Sequence, residues 1–170
     1  MSRVSLKPGS IAPNFEGSSA DGPIKFHQWS ENSWTIVFSH PGSSISKELY
    51  AVARRLSDID QRGIKIIGFS RNWQEESQHW DRVLHHYDRQ FASGKNIADD
   101  QGRLSDLYEM LPHRDHHGVV SNVSFSPNTA FLVDPRKVIK LVLSYPSFLS
   151  TDLNQILRYT FTLLLLVYSP

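Results

Sequence analysis

The chain has 170 residues, of which 39% are hydrophobic and 21% are charged, a composition typical of one soluble globular domain. Lys and Arg number 18 against 17 Asp and Glu, so the formal net charge of +1 excludes the broad positive field of a nucleic-acid binder. There is no cysteine. Within this sequence, disulfides, thiolate nucleophiles, thiol redox cycling and cysteine-ligated zinc are therefore excluded.

The sequence predicts a cytoplasmic protein that does not cross a membrane. The opening segment MSRVSLKPGSIAPNF lacks the run of about 7–15 apolar residues that a secretory signal needs. The apolar stretch 159–168 is shorter than the ~20 residues that span a bilayer. We therefore expect Leu163–Val167 to form either a buried C-terminal helix or an exposed apolar tail.

Short apolar, β-rich runs predict two buried strands, Trp34–Ser39 and Lys65–Ser70. Between them, apolar residues recur at helical spacings of three and four, which predicts a helix from Ile45 to Arg62 that ends at Gly63. A more polar helix is predicted over Asn72–Phe91.

The second half of the chain continues this alternation. A short strand over Asn96–Ala98 is followed by a turn at Asp99–Gly102 and a helix over Leu104–Leu111, which Pro112 ends. The polar segment His113–Ser126 is predicted to be a surface loop.

A hairpin and a helix are predicted at the end. Thr129–Asp134 and Val138–Ser144 flank the turn Pro135–Lys137, and Thr151-Asp152 caps a helix from Leu153 onward. Alternating strands and helices followed by a hairpin indicate an α/β fold, a three-layer sandwich with a central mixed β-sheet covered by helices. We expect a single domain over residues 1–170.

Several segments, in order, resemble the one-cysteine branch of the peroxiredoxin family. They are Pro8–Phe15, Gly22–Trp29, Phe38–Pro41, Ile97–Asp100, Phe131–Pro135, Tyr145-Pro146 and Asn154–Arg158. The resemblance implies a thioredoxin-like fold and a dimer-forming surface. It also implies that the C-terminal extension of the family is truncated here, which would leave much of Phe161–Val167 exposed unless a partner covers it.

The peroxide site of that family does not carry over. Its proline corresponds to Pro41, but the following loop is about three residues shorter than in the family. Alignment on Glu48-Leu49 places Ile45 where the reactive cysteine belongs, whereas Ser44 or Ser46 takes that place only if the register slips. Asn128 stands where the family has an arginine. A serine hydroxyl stays protonated at pH 7 and cannot cycle through a sulfenic acid, so we expect no cysteine-based peroxidase activity.

Two further groups of side chains suggest chemistry. His40, Ser44 and Ser46 lie at a strand–helix junction, where a His–Ser pair acts as base and nucleophile or the serines simply cap the helix. The stretch His113–His117 contains imidazole and carboxylate groups that could bind a metal ion. Because it lies in a predicted polar loop, we favour the interpretation that these side chains are solvated. We expect no metal and no cofactor, and we expect the four tryptophans to serve packing.

Three functions therefore remain open. The first is a peroxiredoxin-like protein that has lost peroxidase activity and acts by binding, as a homodimer or with active relatives. The second is a cofactor-independent enzyme of specialised metabolism that uses the former peroxide pocket on a small organic molecule. The third is a decayed gene product.

Overall fold

The computed structural model describes residues 6–40, 54–70, 94–110, 128–145 and 153–168. Its strands are β1 (Glu16–Ser19), β2 (Gly22–Lys25), β3 (Trp34–His40), β4 (Ile64–Ser70), β5 (Gly94–Ala98), β6 (Asn128–Val133) and β7 (Ile139–Tyr145). Its helices are α1 (Phe26–Trp29), α2 (Leu56–Gln61), α3 (Arg103–Leu107) and α4 (Leu153–Tyr168).

The central sheet has five strands in the order β5-β4-β3-β6-β7, and β1 and β2 form a separate antiparallel pair. Strands β3, β4 and β5 are parallel, whereas β6 is antiparallel to both β3 and β7. The turn from β6 to β7 is held by the Asp134 carboxylate, which accepts the backbone N–H groups of Arg136 and Val138 at 2.9 Å each. The predicted mixed sheet and its late hairpin are confirmed.

Alternate side chains of β3 enter two hydrophobic clusters on opposite faces of the sheet. Ile36 packs on the face covered by α2 and α4, whose buried residues include Ile59 and Leu157. Val37 packs on the other face, against α1, α3 and the segment around Phe15. A sheet with packed elements on both faces is the expected three-layer, thioredoxin-like sandwich.

Two predicted helices differ from the structure in the residues that it describes. The helix predicted over Ile45–Arg62 is interrupted by a turn at Arg54 and Arg55, after which α2 starts at Leu56, while residues 45–53 lie outside the described residues. The helix predicted to reach Leu111 ends at Leu107, because Glu109 adopts a left-handed φ of 56°. The N–H groups of residues 109 and 110 then bond back to the carbonyls of residues 106 and 105, a Schellman ending.

The remaining predictions divide between confirmed and untested. Gly63, with φ 64°, follows α2 as expected, and α4 starts at the predicted Leu153. Both expectations for the C-terminal apolar run hold in part, since Leu164 is buried while residues 165–167 are exposed. No helix within the described ranges is long and apolar enough to cross a membrane. The predicted helix 72–91 and the loop 113–126 lie outside the described residues.

Candidate functional site

One edge of the central sheet gathers the strand ends that the sequence singled out. Because β3, β4 and β5 are parallel, their last residues, His40, Ser70 and Ala98, lie along the same edge. Strand β6 is antiparallel to β3, so its first residue, Asn128, lies at this edge too. Ligands of open α/β sheets bind outside the carboxyl ends of the strands, and this edge is therefore the candidate site.

The register of β3 and β6 relates His40 to Asn128. Phe38 pairs with Ala130. Two residues closer to the candidate edge, His40 ends β3 and Asn128 begins β6. The fold thus brings these two predicted site residues, from distant parts of the sequence, to the ends of two adjacent strands. Their side chains, like the whole of Pro41, Ser44, Ile45 and Ser46, lie outside what the structure describes, so their roles stay predictions.

The sheet face next to this edge is filled by aromatic side chains around Tyr108. Its ring lies 5.5 Å from that of Phe69 and 5.6 Å from that of Phe131, both edge-on. The Tyr108 hydroxyl donates to the carbonyl of Pro13 at 2.6 Å. Burial raises the pKa of Tyr108 well above its ordinary value of 10, so this hydroxyl stays a neutral donor. Tyr108 therefore anchors the N-terminal segment beneath the site.

A carboxylate stands at the same edge, directly after β5, and sequence reasoning treated it only as a turn residue. Asp99 is 4% exposed, and its carboxylate accepts the N–H groups of Leu104 and Ser105 at 2.8 Å each. It also accepts the Ser105 hydroxyl at 2.6 Å. Three donors bond to this carboxylate, which therefore holds the first turn of α3. The signal in the sequence is an Asp a few residues before the helix predicted over Leu104–Leu111, a pattern that a turn residue and a helix cap share.

The sequence offered one candidate metal-ligating stretch, His113–His117. Among the described residues, no group of three or more His, Cys, Asp or Glu side chains is arranged to hold a metal ion. The stretch His113–His117 is not among them, and its interpretation stays a prediction. Of the expected packing tryptophans, Trp34 is confirmed as core at 5% exposure and Trp29 packs against the second cluster.

Comparisons with known proteins agree with this architecture. The pattern of the AhpC/TSA family matches residues 8–142. Mouse peroxiredoxin-6 is 31% identical over 157 residues, which cover 88% of this chain and 69% of the mouse protein. The mitochondrial peroxiredoxin PRX1 of Saccharomyces cerevisiae is 28% identical over 161 residues, which cover 90% of this chain and 60% of the yeast protein. The chain thus spans three-fifths of that yeast relative.

Solved structures give the same result. A yeast mitochondrial 1-Cys peroxiredoxin superimposes with a TM-score of 0.76 at 27% identity, covering 94% of this chain and 77% of its own. A cysteine-to-serine variant of peroxiredoxin 6 from Arenicola marina gives a TM-score of 0.76 at 28% identity, covering 96% and 76%. These likenesses bear out the resemblance to the one-cysteine branch and the thioredoxin-like fold.

Proposed function

The chain belongs to the AhpC/TSA family and contains no cysteine, and from these two facts we propose that it has lost thiol peroxidase activity and acts by binding. The absence of cysteine from the whole family-matching segment is the observation that carries the proposal. Peroxide reduction by this family's route needs a thiolate that becomes a sulfenic acid, and no other side chain follows that cycle.

Peroxide consumption tests the loss of activity. We expect the purified protein to remove no hydrogen peroxide above a heat-killed control when supplied with thioredoxin, glutathione or ascorbate. A cysteine-containing one-cysteine relative, assayed alongside, shows that each reductant system works. Sustained turnover by the metal-free protein would refute the proposal.

Two surfaces support a binding role. Strand β7 is the edge strand of the sheet. Among the described residues, the backbone hydrogen bonds on its outer side are at its start, where Gly9 and Ser10 bond to Ile139. At the end of α4, Leu165 and Leu166 are 62% and 72% exposed. An open strand edge and exposed leucines favour association with another protein. We propose pairing with a second copy or with an active relative.

Native mass spectrometry tests the association. A dimer, or a mixed species with a co-expressed cysteine-containing relative, is expected. A protein that stays monomeric and takes up no relative at micromolar concentration would contradict the binding role while leaving the loss of peroxidase activity intact.

A second candidate is an enzyme of different chemistry at the same edge. It is favoured by one observation: His40 ends β3 at the edge where α/β sheets bind ligands. Ser44 and Ser46 follow His40 closely in the sequence, and we propose that one of them acts with it. For this candidate, His40→Ala should abolish conversion of a small organic substrate without unfolding the protein. An unchanged rate would dismiss His40.

Cytoplasmic localisation also stays a proposal. It rests on the apolar pattern of the sequence, whereas the yeast relative is named as mitochondrial. Cell fractionation with compartment markers distinguishes a cytoplasmic from a mitochondrial protein.

A further inference from the structure

We propose that the end of the molecule opposite the candidate site binds a small polyvalent oxyanion through Lys65, Lys95 and Lys137. Lys65 and Lys95 are the second residues of β4 and β5, at the amino ends of the parallel strands, and Lys137 lies in the turn after β6. The candidate site lies at the carboxyl ends. The two regions are therefore separate, and this inference is independent of the function proposed above.

Hydrogen bonds bring two of these ammonium groups together. Lys65 Nζ donates to the carbonyl of Trp29 and lies 5.0 Å from the centre of the Trp29 ring. Lys137 Nζ donates to the carbonyl of Ser30, the next residue, at 2.7 Å. Neighbouring carbonyls thus hold two cations side by side. An ammonium has three N–H donors, so each lysine keeps donors for a ligand.

The third lysine lies on the same sheet face. Ile67 pairs with Lys95 in the β4–β5 register, and Ile67 is two residues from Lys65, so side chains 65, 67 and 95 share one face. The charges of these neighbouring lysines shift one another's pKa. Burial lowers the pKa of Lys65 from its ordinary value, Glu31 opposes this, and the charge of Lys95 lowers it further. Burial likewise lowers the pKa of Lys137, and the charge of Lys65 adds to this effect, whereas Glu31 and Asp134 oppose it.

The carboxylates at this end do not balance these cations. Asp21 is paired with Lys95. Asp134 lies 3.5 Å from Arg136 and 3.4 Å from Lys140, and it also accepts two backbone N–H groups. The exposed Glu31 acts on both Lys65 and Lys137, and Asp134 also acts on Lys137. Three carboxylates, Asp21, Glu31 and Asp134, thus face the three lysines together with Arg136 and Lys140, which leaves an excess of positive charge that an added anion would neutralise.

A buried hydroxyl adds an independent observation. Thr35 is fully buried, and its Oγ1 has no hydrogen-bond partner among the residues that the structure describes. It pairs with Lys65 in the β3–β4 register, so it shares the face of the lysines and lies between β4 and the β6 strand that leads to Lys137. An unpaired buried hydroxyl is unfavourable, and a ligand oxygen or its bound water would satisfy it. Phosphates and polycarboxylates offer such oxygens.

Equilibrium dialysis of the full chain against radiolabelled inorganic phosphate, with citrate as competitor, tests the site directly. Ionic strength is held constant with chloride. We expect saturable binding that citrate displaces and that chloride does not. Binding that fails to saturate, or none, overturns the proposal in the native protein without recourse to variants.

Variants locate the site. Lys65→Met and Lys137→Met should each weaken binding by about tenfold, the usual loss for one charge-assisted hydrogen bond. Lys25→Met is the matched control, since Lys25 is an exposed lysine paired with Glu16 on the β1–β2 hairpin, and it should bind as the native chain does. If Lys65→Met does not fold, Lys65→Arg replaces it: this variant keeps the positive charge and should retain binding. Equal weakening in the Lys25 variant would overturn the assignment.

Discussion

The Ser105 hydroxyl donates to the Asp99 carboxylate at 2.6 Å, so the first turn of α3 is held by a residue outside the helix. The N-cap position itself is Gly102, which has no side chain and a left-handed φ of 69°. Asp99 supplies the missing acceptor from three residues upstream and also accepts the Leu104 and Ser105 N–H groups. This cap fixes α3 directly after the end of β5, at the edge that carries the candidate site.

Removing this carboxylate should destabilise the fold. Asp99→Ala leaves two buried N–H groups and one hydroxyl without their acceptor, and we expect a loss of about 2–3 kcal/mol in the free energy of unfolding. Ser105→Ala removes a single bond and should cost about 1 kcal/mol. Urea denaturation followed by circular dichroism measures both. Equal losses in the two variants would mean that the N–H groups find other partners.

Tyr108 makes stability depend on alkaline pH. Its pKa is raised in the folded state, so the folded protein keeps the phenol neutral while the unfolded chain ionises near 10. The stabilisation is complete below pH 10 and is lost as pH rises further, because the unfolded state then releases a proton that the folded state retains. Absorbance of tyrosinate should show one tyrosine that ionises only together with unfolding.

Tyr108→Phe is the matched variant for this effect. It keeps the aromatic packing but loses the bond to the Pro13 carbonyl, which should cost about 1 kcal/mol at neutral pH. The stability of this variant should fall less steeply above pH 10 than that of the native chain. Identical alkaline profiles would show that Tyr108 is not the residue responsible.

Gly17 allows β1 to approach β5 closely. A Cβ atom at this position would lie 2.5 Å from Cγ2 of Ile97, a fully buried side chain. Because Ile97 is β-branched and tightly packed, Gly17→Ala should cost about 1–3 kcal/mol. Ile97→Ala removes the clashing atom, so the double variant should lose less than the sum of the single losses. Additive losses, measured by thermal unfolding, would contradict this contact.

The strands that the sequence predicted are those whose burial leaves an apolar pattern. Trp34–Ser39 and Lys65–Ser70 are runs of apolar residues because both faces of β3 and β4 are covered. The β1–β2 pair was not predicted, because β1 (EGSS) and β2 (GPIK) are largely exposed and have no apolar pattern. Their pairing depends on the backbone, with the tight turn closed by Gly22 at φ 117°.

The candidate site was predictable only in part for a different reason. That His40 ends a strand follows from local sequence, but its position on a strand adjacent to that of Asn128 depends on β6 joining β3, a pairing between distant segments. Local patterns do not specify which strands become neighbours, and the family resemblance supplied that information. Asp99 was seen in the sequence only as a turn residue. A turn Asp and a capping Asp have the same sequence pattern, and only the position of α3 shows that Asp99 caps this helix.

The exposed end of α4 should mediate association and not folding. Leu165 and Leu166 are 62% and 72% exposed, so replacing both with Glu removes little burial and should change the free energy of unfolding by less than about 0.5 kcal/mol. The same change should shift any dimer toward monomer in analytical ultracentrifugation. Thr162→Glu, on an exposed part of the same helix, is the control and should leave association unchanged. A dimer insensitive to the double change would assign association to another surface, such as the β7 edge.

Reintroducing a thiol tests the proposed cause of lost activity. Ile45→Cys alone should give a cysteine that reacts with peroxide no faster than a free thiol, because a pKa near 8.5 leaves only a few per cent thiolate at pH 7. Adding Asn128→Arg places a cation at the neighbouring strand end and should speed the peroxide-dependent loss of titratable thiol several-fold, since a nearby cation favours the thiolate. Ser44→Cys and Ser46→Cys, each also combined with Asn128→Arg, test the alignment, and the pair with the largest acceleration identifies the register. Rapid catalytic cycling by Ile45→Cys alone would show that cysteine was the only part of the peroxidase site missing.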